Sequence, residues 1–201
     1  KEGRQVEQFK DMVKAFHKEG IAVMMDVVYN HLSEYEIGNL KQIDKEYYFR
    51  LDKKKNYIAK SGCGNDLKTE RLMMRRMIIE SILFWMREYH IDGFRFDLAS
   101  ILSRDEQGQP LMSPPILWDI ESDPVLASTK IIAEAWYAAG LYQVGNFIGD
   151  RWTEWNGHFR DDVRAFLRGD DEFLLWILIP VHGMKIMREV QEVADHFRLP
   201  C

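Results

Sequence analysis

Apolar residues recur along this chain with two different spacings, and the two spacings alternate. Near the start they fall at helical spacing, on Val6, Phe9, Met12, Val13 and Phe16. Gly20 follows this predicted helix as a C-terminal stop. The next run, residues 21–28, is apolar apart from Asp26, a composition typical of a fully buried parallel strand.

The same alternation continues through the middle of the chain. We expect an amphipathic helix over residues 70–89, a strand over 91–98, a short helix near 119–127 and a strand over 130–136. Helices that alternate with strands are typical of a parallel α/β architecture. Residues 32–68 are predicted to form a long polar loop, and such loops in compact domains are usually functional.

Composition narrows the class of protein. The 201 residues, 46% hydrophobic and 29% charged, are enough for one globular domain with a substantial core. A net charge of −5 without a basic stripe argues against a nucleic-acid partner. No stretch approaches the roughly 20 apolar residues of a membrane span, and no membrane partner is expected. Residues 1–10 show no apolar signal region, which favours the cytoplasm or a plastid over secretion.

The two cysteines carry little information. Cys63 and Cys201 lie far apart in the sequence and form neither a disulfide framework nor a metal-ligand spacing. No cofactor is expected for this chain, and a calcium site is left open.

Three strand-like runs end in charged or polar groups: DVVYNH at 26–31, GFRFDLA at 93–99 and IIAEAW at 131–136. An unpaired buried carboxylate is strongly disfavoured. We therefore expect partners or a functional role for the three carboxylates of these apolar runs, Asp26, Asp97 and Glu134. Barrel enzymes place their catalytic groups at strand ends, which makes these three carboxylates candidate site residues.

The middle run pairs a cation with a carboxylate. Arg95 and Asp97 are two positions apart and therefore point to the same side of a strand, whereas Phe94, Phe96 and Leu98 point to the other. A neighbouring cation keeps a carboxylate ionised, as a nucleophile requires. A purely structural ion pair is the alternative.

The third run sets Glu134 among alanines and Trp136. An apolar, aromatic setting raises a carboxyl pKa and suits a general acid, although a strand-end carboxylate with a local partner is the alternative. One ionised and one protonated carboxyl form the pair that glycosidases use, about 5–5.5 Å apart in retaining enzymes.

The first run ends in Asn30 and His31, where the strand turns into a loop within reach of a ligand. A lone histidine there is more often structural, and a zinc site is disfavoured because no second ligand stands at a suitable spacing. Aromatic residues near these runs would suit the faces of sugar rings, with core packing as the alternative: Tyr29, Trp136, Tyr137, Tyr142, Trp152 and Trp155.

Together these runs resemble three of the four signature regions of the α-amylase superfamily, glycoside hydrolase family 13, in the same order. Three further segments resemble the isoamylase-type debranching enzymes within it: SGCGND at 61–66, GLYQVGNF at 140–147 and WTEWNGHFRDDVRAFLRGD at 152–170. The resemblance covers about residues 3–170.

The resemblance implies a fold and a reaction. The fold is α/β, a partial (β/α)8 TIM barrel that contains about the third to fifth βα units and is truncated at both ends. Residues 1–170 would form this partial catalytic barrel, and residues 171–201 an unassigned tail. The parent enzyme would hydrolyse α-1,6 branch linkages of glycogen or amylopectin, an α-glucan partner, with retention.

The resemblance also implies roles for residues. Asp97 would be the nucleophile and Glu134 the general acid/base, with Arg95 holding Asp97 ionised and His31 hydrogen-bonding the sugar. The remaining expected substrate-site residues are Asp26, Asn30 and Trp136.

Two departures from the family pattern are visible. Tyr137 stands where debranching relatives commonly have Asp, and the fourth signature region, a His-Asp pair, is absent. The tail, with an apolar run at 173–181 and an amphipathic helix at 185–197, does not align with the family. We therefore expect the isolated chain to be an inactive and poorly soluble fragment. A pullulanase or other family-13 hydrolase, or a non-catalytic glucan-binding homologue, is the alternative.

Overall fold

The computed structural model describes residues 3–33 and 38–169. The elements in chain order are α1 (Arg4–Lys18), β1 (Met24–Val27), α2 (Asn39–Tyr48), α3 (Leu72–Tyr89), β2 (Gly93–Phe96), a 3₁₀ turn (Ala99–Leu102), α4 (Pro115–Ser122), β3 (Lys130–Ala133), β4 (Trp152–Glu154) and α5 (Gly157–Arg168). The chain divides into two compact units, the first ending at Trp155 and the second beginning at Asn156. None of the helices in the described ranges is long and apolar enough to cross a membrane.

The four strands form one parallel sheet with the order β1-β2-β3-β4. The last paired row across the sheet consists of Val27, Phe96, Ala133 and Glu154. The residues that follow each strand therefore leave the sheet at the same edge. This confirms the predicted α/β fold with a parallel sheet.

One face of the sheet carries the hydrophobic core. Buried strand residues on that face are Val27, Phe94, Phe96, Ile131, Ala133 and Trp152. Helix α3 adds Met74, Ile78 and Ile82 to the same core cluster, one residue per turn at a spacing of four. Because successive strand residues point to opposite faces, the alternate positions Asp26 and Arg95 lie on the other side of the sheet.

Local side chains and glycines explain the end of helix α1 and both ends of helix α5. Helix α1 ends just before Gly20, whose φ of 73° is a left-handed conformation that glycine adopts without steric cost. Helix α5, in the second unit, begins after Asn156, whose side chain accepts a hydrogen bond from the Phe159 N–H at 3.0 Å. That helix ends at Gly169, again in the left-handed region.

The prediction of a fully buried strand over residues 21–28 is wrong. The strand is limited to Met24–Val27, and Ile21, Met24 and Val28 are exposed. Met24, Asp26 and Val28 share the face of β1 opposite Val27, and in the described part of the chain the core covers the Val27 face alone.

Four element predictions also need correction, and one of them is the strand expected over 130–136, which ends at Ala133. Residues 32–68 contain helix α2, and the helix expected near 119–127 starts earlier, at Pro115, whose fixed φ suits a first helical position. The strand expected over 91–98 ends at Phe96, because Leu98 has a left-handed φ of 41°. Leu98 is half-buried, so it does not join Phe94 and Phe96 in the core. The predictions for residues 173–181 and 185–197 lie outside the described residues.

We expect Phe94→Ala to lower the free energy of unfolding by about 3–5 kcal/mol, because the fully buried ring would leave a cavity in the core. Phe16→Ala is the matched control, since Phe16 on α1 is 42% exposed and should cost much less. Urea unfolding of both variants measures the difference, and equal losses would contradict this assignment of the core.

Candidate active site

Three residues stand side by side just beyond the strand ends. Asp97 follows β2, Glu134 follows β3 and Trp155 follows β4. The backbone N–H of each donates to a carbonyl of the preceding strand, at 3.0, 3.1 and 3.0 Å respectively. The hydrogen-bonded ladder therefore continues one residue past the strands and fixes the relative positions of these three residues.

Arg95 connects the carboxylates of three strands. Its Nη1 donates to Oδ1 of Asp26 at 2.9 Å and to Oδ1 of Asp97 at 3.0 Å, and its Nη2 donates to Oε2 of Glu134 at 2.7 Å. The Arg95 side chain is 13% exposed, so its bonds to the less exposed Asp97 and Glu134 are less screened by water than its bond to Asp26. The prediction that Arg95 and Asp97 point to the same side is confirmed.

Asn30 holds Asp97 from the other direction. Its Nδ2 donates to the backbone oxygen of Asp97 at 2.7 Å and to Oδ2 at 3.0 Å. Asn30 is fully buried, and its Oδ1 lies 2.5 Å from Nδ1 of His31. The structure thus brings Asn30 and His31 to the sheet edge where Asp97 lies. Asn30 orients Asp97 directly through two hydrogen bonds, a role that its position in the sequence does not indicate.

Glu134 sits in a more enclosed setting than Asp97. Its side chain is 14% exposed, against 25% for Asp97 and 63% for Asp26. Its Oε2 also accepts the Leu98 N–H at 3.0 Å, which the left-handed turn at Leu98 directs toward it. Burial raises the pKa of Glu134 above its ordinary value of 4.5, and the neighbouring Asp97 adds to this, whereas Leu98 and Arg95 oppose it. This direction agrees with the one expected from the apolar setting of Glu134.

The aromatic residues divide into two groups. Trp152 and Tyr137 are each 8% exposed and buried, as the alternative of core packing requires. Trp136 is half-buried and stacks on Tyr142 with ring centroids 6.0 Å apart and planes 13° from parallel. Trp155 is 48% exposed, and its ring lies 4.5 Å from the Arg95 guanidinium.

The SGCGND segment is anchored by a buried ion pair that the sequence does not indicate. Asp66 is fully buried and accepts the N–H groups of Lys60 and Ser61 at 2.9 and 3.0 Å. Its partner Arg104, also fully buried, donates to Oδ2 of Asp66 at 2.9 Å and lies 5.7 Å from the ring of Tyr137. This pair joins the loop after α2 to the loop after the 3₁₀ turn, and nothing in the local pattern around Arg104 predicts its burial.

The arrangement offers two carboxyl groups of unequal character. Asp97 accepts hydrogen bonds from the guanidinium of Arg95 and the amide of Asn30, which together fix the orientation of its carboxyl group. Glu134 is enclosed, with a raised pKa that favours its protonated form. Such a pair can combine nucleophilic attack with general acid/base catalysis.

We expect Asn30→Ala to lower the free energy of unfolding by about 1–3 kcal/mol, because the buried Asn30 amide is lost and the partly buried polar groups of Asp97 and His31 lose their partner. The control Asn39→Ala, at an exposed position of α2, should change it by less than about 0.5 kcal/mol. Urea denaturation measures the free energy of unfolding of both variants. Equal values for the two would contradict the stabilising role of the Asn30 hydrogen bonds.

The raised pKa of Glu134 predicts a pH dependence of stability. The native state keeps this proton at a pH where the unfolded state has released it, so the free energy of unfolding falls as the pH rises from 4.5 through the raised pKa. Glu134→Gln removes this pH dependence. The free energy of unfolding of the variant, relative to that of the wild type, should therefore increase between about pH 4 and about pH 8.

Unfolding at both pH values measures the gain. The control is Glu80→Gln on α3, whose side chain is 62% exposed. A difference between Glu134→Gln and the wild type that stays constant with pH would contradict the raised pKa.

This chain is similar in sequence to several known proteins. The chain is 48% identical over 171 residues to isoamylase 3 of Oryza sativa subsp. japonica, a match that covers 81% of this chain and 22% of the relative. It is 43% identical over 176 residues to the glycogen operon protein GlgX homolog of Mycobacterium tuberculosis, covering 84% and 24%. A glycogen debranching enzyme of Serratia proteamaculans is 41% identical over 169 residues, covering 81% and 25%. No family model matches the chain.

Solved structures of pullulanases are also similar to this chain. A pullulanase of Paenibacillus barengoltzii in complex with maltohexaose and α-cyclodextrin superposes with a TM-score of 0.62 at 32% identity, covering 77% of this chain and 24% of that one. A pullulanase of Anoxybacillus in complex with maltotriose gives a TM-score of 0.61 at 35% identity, covering 77% and 22%.

The chain thus spans about a quarter of the length of the relatives it matches. Over about four fifths of its own length it is a homologue of the isoamylases and glycogen debranching enzymes, which confirms the resemblance drawn from its motifs.

Proposed function

We propose that this chain carries the catalytic carboxylates of a retaining glycoside hydrolase that cleaves α-1,6-glucosidic branch linkages in glycogen or amylopectin. The observation that carries the proposal is the Arg95-centred cluster, in which Asp97 and Glu134 lie at the ends of adjacent parallel strands. The names of the homologues, isoamylase and glycogen debranching enzyme, supply the linkage and the substrate class.

The proposed fold is part of a (β/α)8 barrel, formed by residues 1–170, with residues 171–201 outside it. The sequential order of the four parallel strands and the position of the carboxylates at their carboxyl ends support this. In such a barrel the face that carries Asp26, Arg95 and Thr153 would line the interior.

The proposed reaction has two steps. Glu134 donates its proton to the glycosidic oxygen of the branch while a carboxylate oxygen of Asp97 attacks the anomeric carbon, so the bond to the leaving glucan breaks as the ester bond to Asp97 forms. Glu134, now ionised, then takes a proton from a water molecule, which attacks the same carbon and releases Asp97. The two inversions give net retention of configuration.

The contacts of each carboxyl group suit these roles. Burial favours the protonated form of Glu134 that the first step consumes. Asp97 is held by Arg95 and Asn30, so little reorientation is needed before attack. After the proton leaves Glu134, the Arg95 guanidinium at 2.7 Å stabilises the resulting charge.

The remaining site residues would contact the sugar or support those that do. His31 has its Nδ1 beside Asn30, which leaves Nε2 for a sugar hydroxyl. Asp26 is 63% exposed on the same side as Arg95 and would accept a hydroxyl or support Arg95. Trp136 would border the site through its stacked pair with Tyr142. No nucleic-acid or membrane partner is proposed.

The similarity to solved pullulanases favours one alternative, in which the preferred substrate is pullulan. The relative rates of reducing-end release from pullulan and from glycogen distinguish the two specificities. A non-catalytic glucan-binding homologue is the other alternative, and it would bind glycogen without releasing reducing ends.

The test uses a chimera in which this chain replaces the homologous segment of rice isoamylase 3. The match covers 22% of the relative, which supplies the rest of the chimera. We expect the chimera to release reducing ends from amylopectin. Asp97→Asn and Glu134→Gln in the chimera should each lower kcat by about 10²–10⁴-fold, since each removes a group that acts in the transition state.

Two exposed carboxylates serve as controls, Asp11→Asn on α1 and Glu80→Gln on α3, and both should keep the rate of the parent chimera. An Asp97→Asn or Glu134→Gln chimera with a near-normal rate would refute the assigned roles. A chimera that folds and binds amylopectin but releases no reducing ends would favour the non-catalytic alternative.

A further inference from the structure

We infer that Trp155 is a stacking surface for a glucose ring of the substrate, next to Asp97 and Glu134. The inference rests on the proposed function and extends it, because Trp155 is not among the residues that the signature regions assign to the site.

The position of Trp155 is fixed by the sheet. Its N–H donates to the Ala133 carbonyl at 3.0 Å, which places it beside Glu134, the residue that follows Ala133. Trp152 and Trp155 are three positions apart along an extended segment and therefore point to opposite faces of the sheet. Trp152 is buried in the core, and Trp155 lies on the face that carries the carboxylates.

Trp155 contacts the charged cluster directly. Its ring centroid lies 4.5 Å from the Arg95 guanidinium, within the range of a cation–π interaction. The same guanidinium holds Asp97 and Glu134 at 3.0 and 2.7 Å. The indole is thus one contact away from both proposed catalytic groups, and Arg95 limits the orientations the ring can adopt.

Trp155 presents an apolar surface on the side of the sheet that carries the charged cluster. The residue is 48% exposed in the described structure. A large apolar surface kept beside a charged cluster is typical of binding sites, where an aromatic anchor accompanies a few polar groups. In the described part of the chain Trp155 is also not among the residues that form or pack against the hydrophobic core.

A pyranose ring matches this surface. Its axial C–H groups form an apolar, weakly positive face, which complements the negative face of an indole ring. Its hydroxyl groups point outward, toward hydrogen-bonding groups such as the neighbouring carboxylates. A glucose unit that stacks on Trp155 would therefore lie against the cluster with its polar edge near Asp97 and Glu134.

The test titrates the full 201-residue chain with maltotriose by isothermal calorimetry and compares three variants. We expect Trp155→Ala to weaken the Kd about tenfold and Trp155→Phe, which keeps a flat ring, to weaken it less. Trp118→Ala is the matched control, because Trp118 on α4 is 42% exposed and should leave the Kd unchanged. Far-UV circular dichroism and the urea midpoint check that each variant is folded.

A second measurement does not depend on the alanine variant. In a ¹H–¹⁵N spectrum the indole N–H signal of Trp155, assigned from its loss in Trp155→Phe, should shift on addition of maltotriose but not of cellotriose. Binding of maltotriose with an unmoved Trp155 signal, or with an unchanged Kd in Trp155→Ala, would overturn the inference and leave the proposed function intact. Absence of maltotriose binding by the wild-type chain would overturn it too, while hydrolysis by the chimera would still decide the proposed function separately.

Discussion

The site depends on one shared cation. Asp26, Asp97 and Glu134 come from three neighbouring strands, and their carboxyl groups would repel one another at the strand ends if nothing lay between them. Arg95 lies between them, with donors within 3.0 Å of all three and little exposure to water. Its planar guanidinium can donate hydrogen bonds to several acceptors at fixed angles. A lysine ammonium on its flexible side chain would hold the same acceptors less rigidly.

Unequal surroundings then give the two inner carboxyl groups different chemistry. Asp97 has two side-chain donors, whereas Glu134 is more enclosed and has its pKa raised by burial. The left-handed turn at Leu98 turns the chain away from the sheet after Asp97 and directs a backbone N–H at Glu134. A short backbone feature therefore contributes a donor to Glu134 that opposes the effect of burial on its pKa.

A second buried pair supports the surrounding loops. Asp66 and Arg104 are fully buried, and removal of either would leave an uncompensated charge in the interior. The ring of Tyr137 lies 5.7 Å from the Arg104 guanidinium, so the aromatic residue that departs from the family pattern has a defined partner here. The SGCGND segment is thus held by buried charge rather than by regular secondary structure.

The sequence by itself determined the alternation of helices and strands, the parallel α/β class and the placement of Asp97 and Glu134 near strand ends, because these follow from hydrophobic spacing and from local apolar runs. It also predicted that Arg95 and Asp97 share a face, since strand side chains alternate. Only the tertiary structure decided that Asn30 orients Asp97, that Arg104 neutralises Asp66 and that Trp155 lies on Arg95. These contacts join residues 38 to 67 positions apart in the chain, and no local pattern encodes such distances. The exposed face of β1 was missed for the same reason, because burial depends on what packs against a strand and not on its own composition.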